Sequence, residues 1–389
     1  MDFDKIVNRK NTSCAKYDDL ETVFGKKDLM PLWIADMDFE VCPEISATVE
    51  KRAAHKIYGY PSTPESYWES IINWNKHRHN FTVTREELSF MPGIVRAIGY
   101  VVNYFTEKGD KILIQPPVYH PFKNIVLGNQ RTLVENPLKC TPTTMEMDLE
   151  GFRKIVETEK PKMMILCNPH NPGGVVWSKE ALMEVAHICY ENHVLVVSDE
   201  IHGDVELFGN HYTPFLTLSD ESRAIGISLG APSKTFNIPG LVSSWCVVKN
   251  PELREGFFAW LSANEFNEPT MFVPAATEAA YNRSEPWLDE VLKYTEKNIL
   301  FVEDYIKAHI PAIKVHRPQA SYLLWLDCSA LGLNNADLNS LFIDKAGLAL
   351  NNGAMFGEQG AQCMRLNVGC PRSVLEEALV KLEKAINEK

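Results

Sequence analysis

The stretch Ala231-Pro232-Ser233-Lys234-Thr235-Phe236-Asn237-Ile238-Pro239-Gly240 places one lysine among small, apolar and turn-forming residues, with no acidic neighbour. A free lysine amine has a pKa near ~10.4, so at neutral pH it is a cation and a poor nucleophile. Burial, or a covalent bond to a carbonyl carbon, removes that charge and turns the nitrogen into a base or nucleophile. A loop lysine taken alone is most often a surface residue, so Lys234 gains weight only from what other stretches bring to it. Asp199 ends the apolar run Val194–Ser198, where a carboxylate is costly unless a cation meets it. A pyridinium N–H is one such cation. Capping the turn at Ile201-His202-Gly203-Asp204 is the plainer alternative. Asn171, within Asn168-Pro169-His170-Asn171-Pro172-Gly173-Gly174, can donate its amide to a phenolate oxygen, although Asn-Pro and Gly-Gly are ordinary turn formers too. Tyr119, within Pro116-Pro117-Val118-Tyr119-His120-Pro121-Phe122, offers a flat face to a ring or to a core.

An anion has a candidate cradle as well. Met91-Pro92-Gly93-Ile94-Val95-Arg96-Ala97 leads into a helical pattern that runs to Phe105. Gly93 permits close backbone approach, and the first N–H groups of that helix face outward toward an anion. Ser233, beside Lys234, adds a hydroxyl donor or is a plain turn serine.

Strands must deliver these groups to one place. Lys111–Gln115, Met163–Cys167, Val194–Ser198 and Ala224–Leu229 are short, nearly continuous apolar runs, as expected of strands buried on both faces. Ser178–Glu191 reads as an amphipathic helix opened by Ser178 as N-cap. This alternation predicts an α/β fold with a mainly parallel sheet covered by helices on both faces. Ligands sit at the carboxyl ends of such strands, and each of four chemistry-bearing motifs follows a predicted strand. After about Glu285 the pattern changes to a helix over Trp287–Ile310, strands at Ile313–His316 and Ser321–Asp327, a helix near Ala336–Ala346, a strand at Gln362–Val368 and a terminal helix from Arg372. The expected organisation is an N-terminal arm over 1–45, a large domain over 46–285 and a small α+β domain over 286–389.

The bulk numbers set limits. Among 389 residues, 45% are hydrophobic, enough for a large core. A net charge of −12 argues against a broad footprint for nucleic acid or anionic membrane. No apolar run reaches the ~18–20 residues of a membrane helix, and the charged N-terminus is no secretory signal. The nine cysteines are dispersed, with no CxxC pair, and no HExxH occurs, so no metal site is expected. An odd, scattered set reads as reduced thiols in a cytoplasmic protein.

The ordered set of glycine turn, stacking aromatic, Asn in NPxNPxG, strand-end Asp-Glu, Ser-Lys and Arg365-Leu366-Asn367 resembles the fold-type-I pyridoxal-phosphate enzymes, the aspartate aminotransferase superfamily. The resemblance covers nearly the whole chain. Trp33–Phe39 (WIADMDF), Tyr58–Pro61 (YGYP), Ser198–Asp204 (SDEIHGD), Ala231–Leu241 and Asn367–Arg372 (NVGCPR) look like the MalY/PatB group of cystathionine β-lyases. That resemblance implies a seven-stranded sheet, pyridoxal 5'-phosphate as cofactor, a homodimer with shared active sites, and cleavage of the carbon–sulfur bond of L-cystathionine, cysteine and related small sulfur amino acids. It implies that Lys234 carries the cofactor covalently and then moves protons, that Asp199 pairs with the ring nitrogen, and that Asn171 bonds the phenolic oxygen. Tyr119 would stack on the ring, and its phenol is the candidate for protonating the leaving sulfur. Gly93, Ile94 and Ser233 would hold the phosphate. Tyr60 would reach the neighbouring subunit's phosphate, with Tyr58 the competing choice. Arg365 would grip the substrate carboxylate as a bidentate fork. Residues Trp33 to Asp38 would line the entrance, with no role assigned.

One departure is informative. Many transaminases of this superfamily carry a phosphate-binding arginine eight residues after the lysine, where this chain has Val242. The MalY/PatB group lacks that arginine as well. An aminotransferase using the same cofactor is the alternative reading. Binding of a regulatory protein, known for one member of the group, is a further one, and the sequence shows no patch for it.

Overall fold

The computed structural model describes residues 1–388. Its short apolar runs become strands because each has two faces to hide: β1 (Leu88–Met91), β2 (Lys111–Ile114), β3 (Thr132–Glu135), β4 (Met163–Cys167), β5 (Leu195–Asp199), β6 (Gly226–Gly230) and β7 (Ser244–Val247). They form one seven-stranded sheet in the order β1-β7-β6-β5-β4-β2-β3, in which only β7 runs antiparallel to its neighbours. Every residue of β4 and β6 is buried. At about 1.5–3 kcal/mol per buried Leu, Ile or Met side chain, these central strands carry much of the driving force.

Helices cover the sheet. The ones that bear on function are α1 (Glu65–His79), α2 (Ile94–Phe105), α3 (Lys179–Glu191), the single turn α4 (Pro232–Thr235), α5 (Glu285–His309) and α6 (Arg372–Asn387). Ser178 caps α3 as expected, its Oγ accepting the Ala181 N–H at 3.1 Å. A second, antiparallel four-stranded sheet forms in the last third: β8 (Lys314–His316), β9 (Leu323–Asp327), β10 (Asn351–Asn352) and β11 (Cys363–Asn367), ordered β8-β9-β11-β10.

Several boundaries differ from the sequence reading, each for a local reason. The strand predicted from Ala224 starts at Gly226, because Ser219 opens a helix over Asp220–Ile225 with its Oγ accepting from Ser222 N at 3.1 Å. The third predicted strand slides by one residue, so Asp199 is itself the last strand position, paired in register with Cys167 and Leu229. The helix expected near Ala336–Ala346 is helical over Asn335–Ser340 and continues as a wider π turn over Leu341–Lys345. Strands β3, β7 and β10 went unread: β3 is a mostly exposed edge, and β7 and β10 hold Ser and Asn in place of β-branched residues.

The N-terminal segment is tied to both halves. Met30–Pro31 pairs in parallel with Leu348–Ala349. The residues that follow cross the carboxyl ends of the large sheet as a strap with no continuous strand partner. Apart from the Asp36 and Asp38 N–H groups, which bond the Ile34 and Gly369 carbonyls, its polar backbone is satisfied largely by side chains, as buried N–H and C=O groups require. Asn237 accepts from Met37 N and donates to the carbonyls of Met37 and Phe39, all at 2.9 Å. Asn367 donates to the carbonyls of Ile34 (2.6 Å) and Asp36 (2.7 Å). Outside the strap, Arg9 and the fully buried Lys16 side chain pair with Asp36 and Asp38 at distances of 2.6–3.5 Å.

Asn237→Ala leaves the Met37 N–H and the Phe39 carbonyl without these partners, and Asn367→Ala removes one of two donors from each of the Ile34 and Asp36 carbonyls, which keep the Asp36 N–H and Lys16. Each substitution is expected to lower unfolding stability by about 1–3 kcal/mol in urea titrations. Unchanged midpoints would show that the strap is not held by these amides.

Candidate active site

The carboxyl ends of β4, β5 and β6, the start of α2 and the turn α4 line a cavity under the strap that is partly open to solvent. Lys234, Asp199, Asn171, Tyr119, Gly93, Ile94 and Ser233 all line it. They come from five separate stretches of sequence and meet because parallel strands end on one side of the sheet.

The cavity is dry enough to disturb every charge in it. Burial raises the Asp199 carboxyl to about 7, with the Ile201 N–H and the Lys234 charge pulling it back only in part. That N–H bond, 3.1 Å to Asp199 Oδ1, means the turn-capping reading of Asp199 is also true. It leaves the carboxylate without any close cation. Lys234 is lowered to about 8, chiefly by burial; the Asp36 carboxylate opposes the drop and the Arg365 charge adds to it. Its Nζ donates to the Ala35 carbonyl of the strap, which also accepts from Tyr322 Oη at 3.0 Å.

Arg365, on β11, is joined to the cavity through Asn171, which lines it. It donates to Asn171 Oδ1 (3.0 Å), Asn351 Oδ1 (2.6 Å) and the Trp33 carbonyl (3.0 Å), and its Nε has no partner among the described residues. It is 3% exposed, no carboxylate faces it, and burial lowers it to about 10. The ring of Phe356 lies 4.9 Å from the guanidinium. A buried guanidinium with neutral partners is a site prepared for an incoming anion. Because Asn171 accepts from Arg365 through its oxygen, its NH₂ is left for the cavity. Tyr119 is pushed up by burial, against the Arg365 charge, so its phenol stays protonated at neutral pH and can donate.

Gly93 sits at φ 97, in the region where a side chain is strained, and turns the chain into α2. Its own N–H is donated to Ser244 Oγ at 2.9 Å, so its part in an anion cradle is conformational. The amides of Ile94 and Val95 open the helix into the cavity. Val242 also lines the cavity, where the corresponding arginine of other enzymes would stand.

Tyr60 is not brought in. It is fully exposed, away from this cavity. Tyr58 is tied to its own chain, donating to the Ala53 carbonyl at 3.1 Å. Ala35, within the Trp33–Asp38 stretch expected at the entrance, lines the cavity, which also holds residues the sequence reading passed over: Cys167, Ile201 and His202. Burial lowers His202 to about 3, with the Lys234 charge adding to it, so its imidazole is neutral. Its Nδ1 has no partner among the described residues. Ala35 and His202 lie inside the WIADMDF and DEIHGD motifs; their motif position was the available signal, and their orientation was not.

A fold of this type with a strand-end acid, a buried lysine and a buried arginine defines a class, and residues 27–382 match the sequence profile of aminotransferase class I and II. The chain belongs to that family. It is 39% identical to the cystathionine beta-lyase PatB of Bacillus subtilis (strain 168), over 100% of both chains. It is 31% identical to the protein MalY of Escherichia coli (strain K12), over 99% of each. Among solved structures, cystalysin from Treponema denticola, which contains a pyridoxal 5'-phosphate cofactor, superposes with a TM-score of 0.95 at 31% identity, covering 100% of this chain and 99% of that one.

The residues present fit such a cofactor. Asp199 lacks the cation that a protonated ring nitrogen supplies, the Asn171 NH₂ is unused, and Lys234 is a depressed amine in the same cavity.

In the ligand-free protein, the raised Asp199 pKa means the folded state holds a proton that the unfolded state loses. Stability is therefore expected to fall as pH rises from about 4 through about 7, by about 4 kcal/mol from this group. Glu200, raised to about 7 by burial, works in the same direction. Asp199→Asn is expected to shrink the difference between urea midpoints at pH 5 and pH 8. An identical difference in the variant would contradict the assignment.

Proposed function

We propose that this chain is a pyridoxal-phosphate-dependent carbon–sulfur β-lyase acting on L-cystathionine, L-cysteine and related amino acids. The observation that carries the reading is the cavity itself: an acid, an amine and a guanidinium, all perturbed by burial and none neutralised by a close opposite charge, arranged around space for a small molecule. The full-length match to PatB supports the substrate class.

Lys234 holds the cofactor covalently, Asp199 meets its ring nitrogen, Asn171 its phenolic oxygen and Tyr119 its face. Ile94, Val95 and Ser233 form the phosphate end, with Gly93 shaping the turn. When bound, pyridoxal phosphate supplies an electron sink for the carbanion that forms when Cα loses its proton. The protein does the rest. Arg365 binds the substrate carboxylate and fixes the Cα–H bond relative to Lys234. Lys234, a free amine once the substrate's own amine has displaced it from its covalent bond to the cofactor, would accept that proton and release it again. The electron pair left at Cα forms a double bond to Cβ as the carbon–sulfur bond breaks, and the sulfur leaves with both bonding electrons. Tyr119, protonated at neutral pH, is the donor this reading assigns to the leaving sulfur. Addition of water to the released enamine yields pyruvate and ammonia.

Transamination by the same site would need a proton delivered to the cofactor, and no observation favours it. The expected result with L-cystathionine and no keto acid is pyruvate and homocysteine over many turnovers, abolished in Lys234→Ala. A reaction that stops after one equivalent per site would make the chain an aminotransferase. Arg365→Ala is expected to raise KM by about 10²-fold or more, through loss of a bidentate ion pair to the carboxylate.

A homodimer belongs to the same reading. Tyr60 stands fully exposed beside exposed Ile57 and Tyr58, on a loop that gives it nothing to touch in its own chain. In the dimer it completes the partner's phosphate site. Sedimentation equilibrium of the cofactor-loaded protein reads this directly, and a fully active monomer would refute it. The division into 1–45, 46–285 and 286–389, and a reducing cytoplasmic location suggested by nine free thiols, are parts of the same proposal.

A further inference from the structure

Beneath the floor of the cavity, on the far side of α4, a second group of buried polar side chains converges on Asp204. None of them has a part in the chemistry above. The carboxylate is fully engaged. Its Oδ1 accepts from Trp74 Nε1 at 2.9 Å and from His79 Nε2 at 2.6 Å, and its Oδ2 accepts from Thr235 Oγ1 at 2.7 Å. Trp74 and His79 both stand on the second half of α1, more than a hundred residues away in sequence. Thr235 is the residue that follows Lys234 on α4.

The environment is built for a carboxylate. Burial works against its charge, yet the hydrogen bonds and charge of His79, together with the bonds from Thr235 and Trp74, hold Asp204 below the usual carboxylate range. All three neighbours donate to it. An amide in its place would turn an NH₂ toward one of those donors, so the isosteric Asn cannot reproduce the arrangement. The His79 ring is itself fixed, packed edge-on against Tyr212 with centroids 4.8 Å apart. The neighbouring buried acid, Glu200, is engaged elsewhere, by Ser198 (2.9 Å), Ser228 (2.5 Å) and the Phe215 N–H (2.8 Å). The Asp204 cluster is therefore separate from the network behind Asp199.

What this cluster holds is the turn that carries Lys234. A helix of one turn has almost no stability of its own, because nucleation is unfavourable and it closes few hydrogen bonds. Within α4 the closing bond is Phe236 N–H to the Pro232 carbonyl, at 2.9 Å. The side-chain bond from Thr235 to Asp204 ties this turn to the segment after β5 and, through Trp74 and His79, to α1, on which Phe236 also packs. Lys234 and Thr235 share a peptide bond and leave the turn in different directions. One points into the cavity and the other into its floor. A shift of the Thr235 anchor therefore moves the Lys234 Cα, and the long lysine stem carries that shift to the reacting nitrogen.

We propose that Asp204 is a positioning residue for the reaction. Through Thr235 it fixes the turn that carries Lys234, and the hydrogen bonds from His79 and Trp74 fix the carboxylate in its turn. The inference rests on Lys234 being the reactive amine.

The test uses the cofactor-loaded Asp204→Asn, Thr235→Val and Thr235→Ser variants and the Asp204→Asn/Thr235→Val double variant. Thermal unfolding confirms that each is folded. Misplacement of a reacting group costs rate more than binding, so Asp204→Asn and Thr235→Val are each expected to lower kcat by about tenfold or more with KM within about threefold. Thr235→Ser, which keeps the hydroxyl, is expected to stay within about threefold of the parent, and the double variant to be no slower than the worse single by more than about twofold. The second readout is the pH midpoint of the resting enzyme's cofactor absorbance, which reports the surroundings of the Lys234 nitrogen. It is expected to move in both single variants and to return in Thr235→Ser.

Variants that melt earlier but keep the parent's kcat and spectral midpoint would overturn the proposal, since a purely structural role moves neither. Additive losses in the double variant would overturn it as well. Should Asp204→Asn fail to fold, the Thr235 pair decides: equal behaviour of Val and Ser at this position overturns it. Turnover surviving in Lys234→Ala is a different result and would remove the reading of the lysine itself.

Discussion

The strap of residues 33–39 crosses the active cavity as a bent segment without a continuous strand partner. Buried peptide groups must find hydrogen bonds somewhere, and here most of them find them in side chains. Asn237 and Asn367 hold it at the Met37, Phe39, Ile34 and Asp36 carbonyls. The remaining contacts come from residues with chemistry of their own. Arg365 donates to the Trp33 carbonyl, and Lys234 and Tyr322 share the Ala35 carbonyl. The same short segment thus covers the cavity, limits its access to water and satisfies the two cations that the reaction needs.

Exclusion of water decides the electrostatics. Asp199, Lys234 and Arg365 are each displaced toward their uncharged form by burial before any neighbour acts. In an empty cavity that is a liability, because three groups are desolvated without direct ion pairing. A ligand that carries a ring N–H⁺ and a carboxylate would give Asp199 and Arg365 the opposite charges they lack. The site is destabilised in a way that an amino acid and its cofactor relieve, and this is why stability, pH and ligand binding should be coupled in this protein.

Much of the site was legible because the chemistry and the punctuation coincide. The glycine turn at Gly93, the Asn-Pro pairs around Asn171, the acid at the end of an apolar strand and the lysine in a Pro-Ser-Lys turn each have an ordinary use taken singly, and become legible as an ordered set at the ends of predicted strands. What stayed hidden has a common physical cause. Arg9 and Lys16, which brace the strap through Asp36 and Asp38, lie in a segment with no periodicity to read. His202 and Ala35 sat inside recognised motifs, but the faces they present depend on how the turns after β5 and before the strap are bent. Strands β3, β7 and β10 lack β-branched runs and exist because a neighbouring strand offers an edge.

By itself, the sequence determined the parallel sheet, the order of the motifs along it and the residue types available at its carboxyl edge, since apolar periodicity and turn chemistry are local properties. Tertiary structure alone decided which of those residues are uncompensated charges, because desolvation depends on everything packed around a group. It also decided that the Gly93 amide is used by Ser244, that Tyr60 faces away from its own cavity, and that Asp204, 125 residues from His79, anchors the neighbour of Lys234. Those are contacts between distant parts of the chain, and no local pattern encodes them.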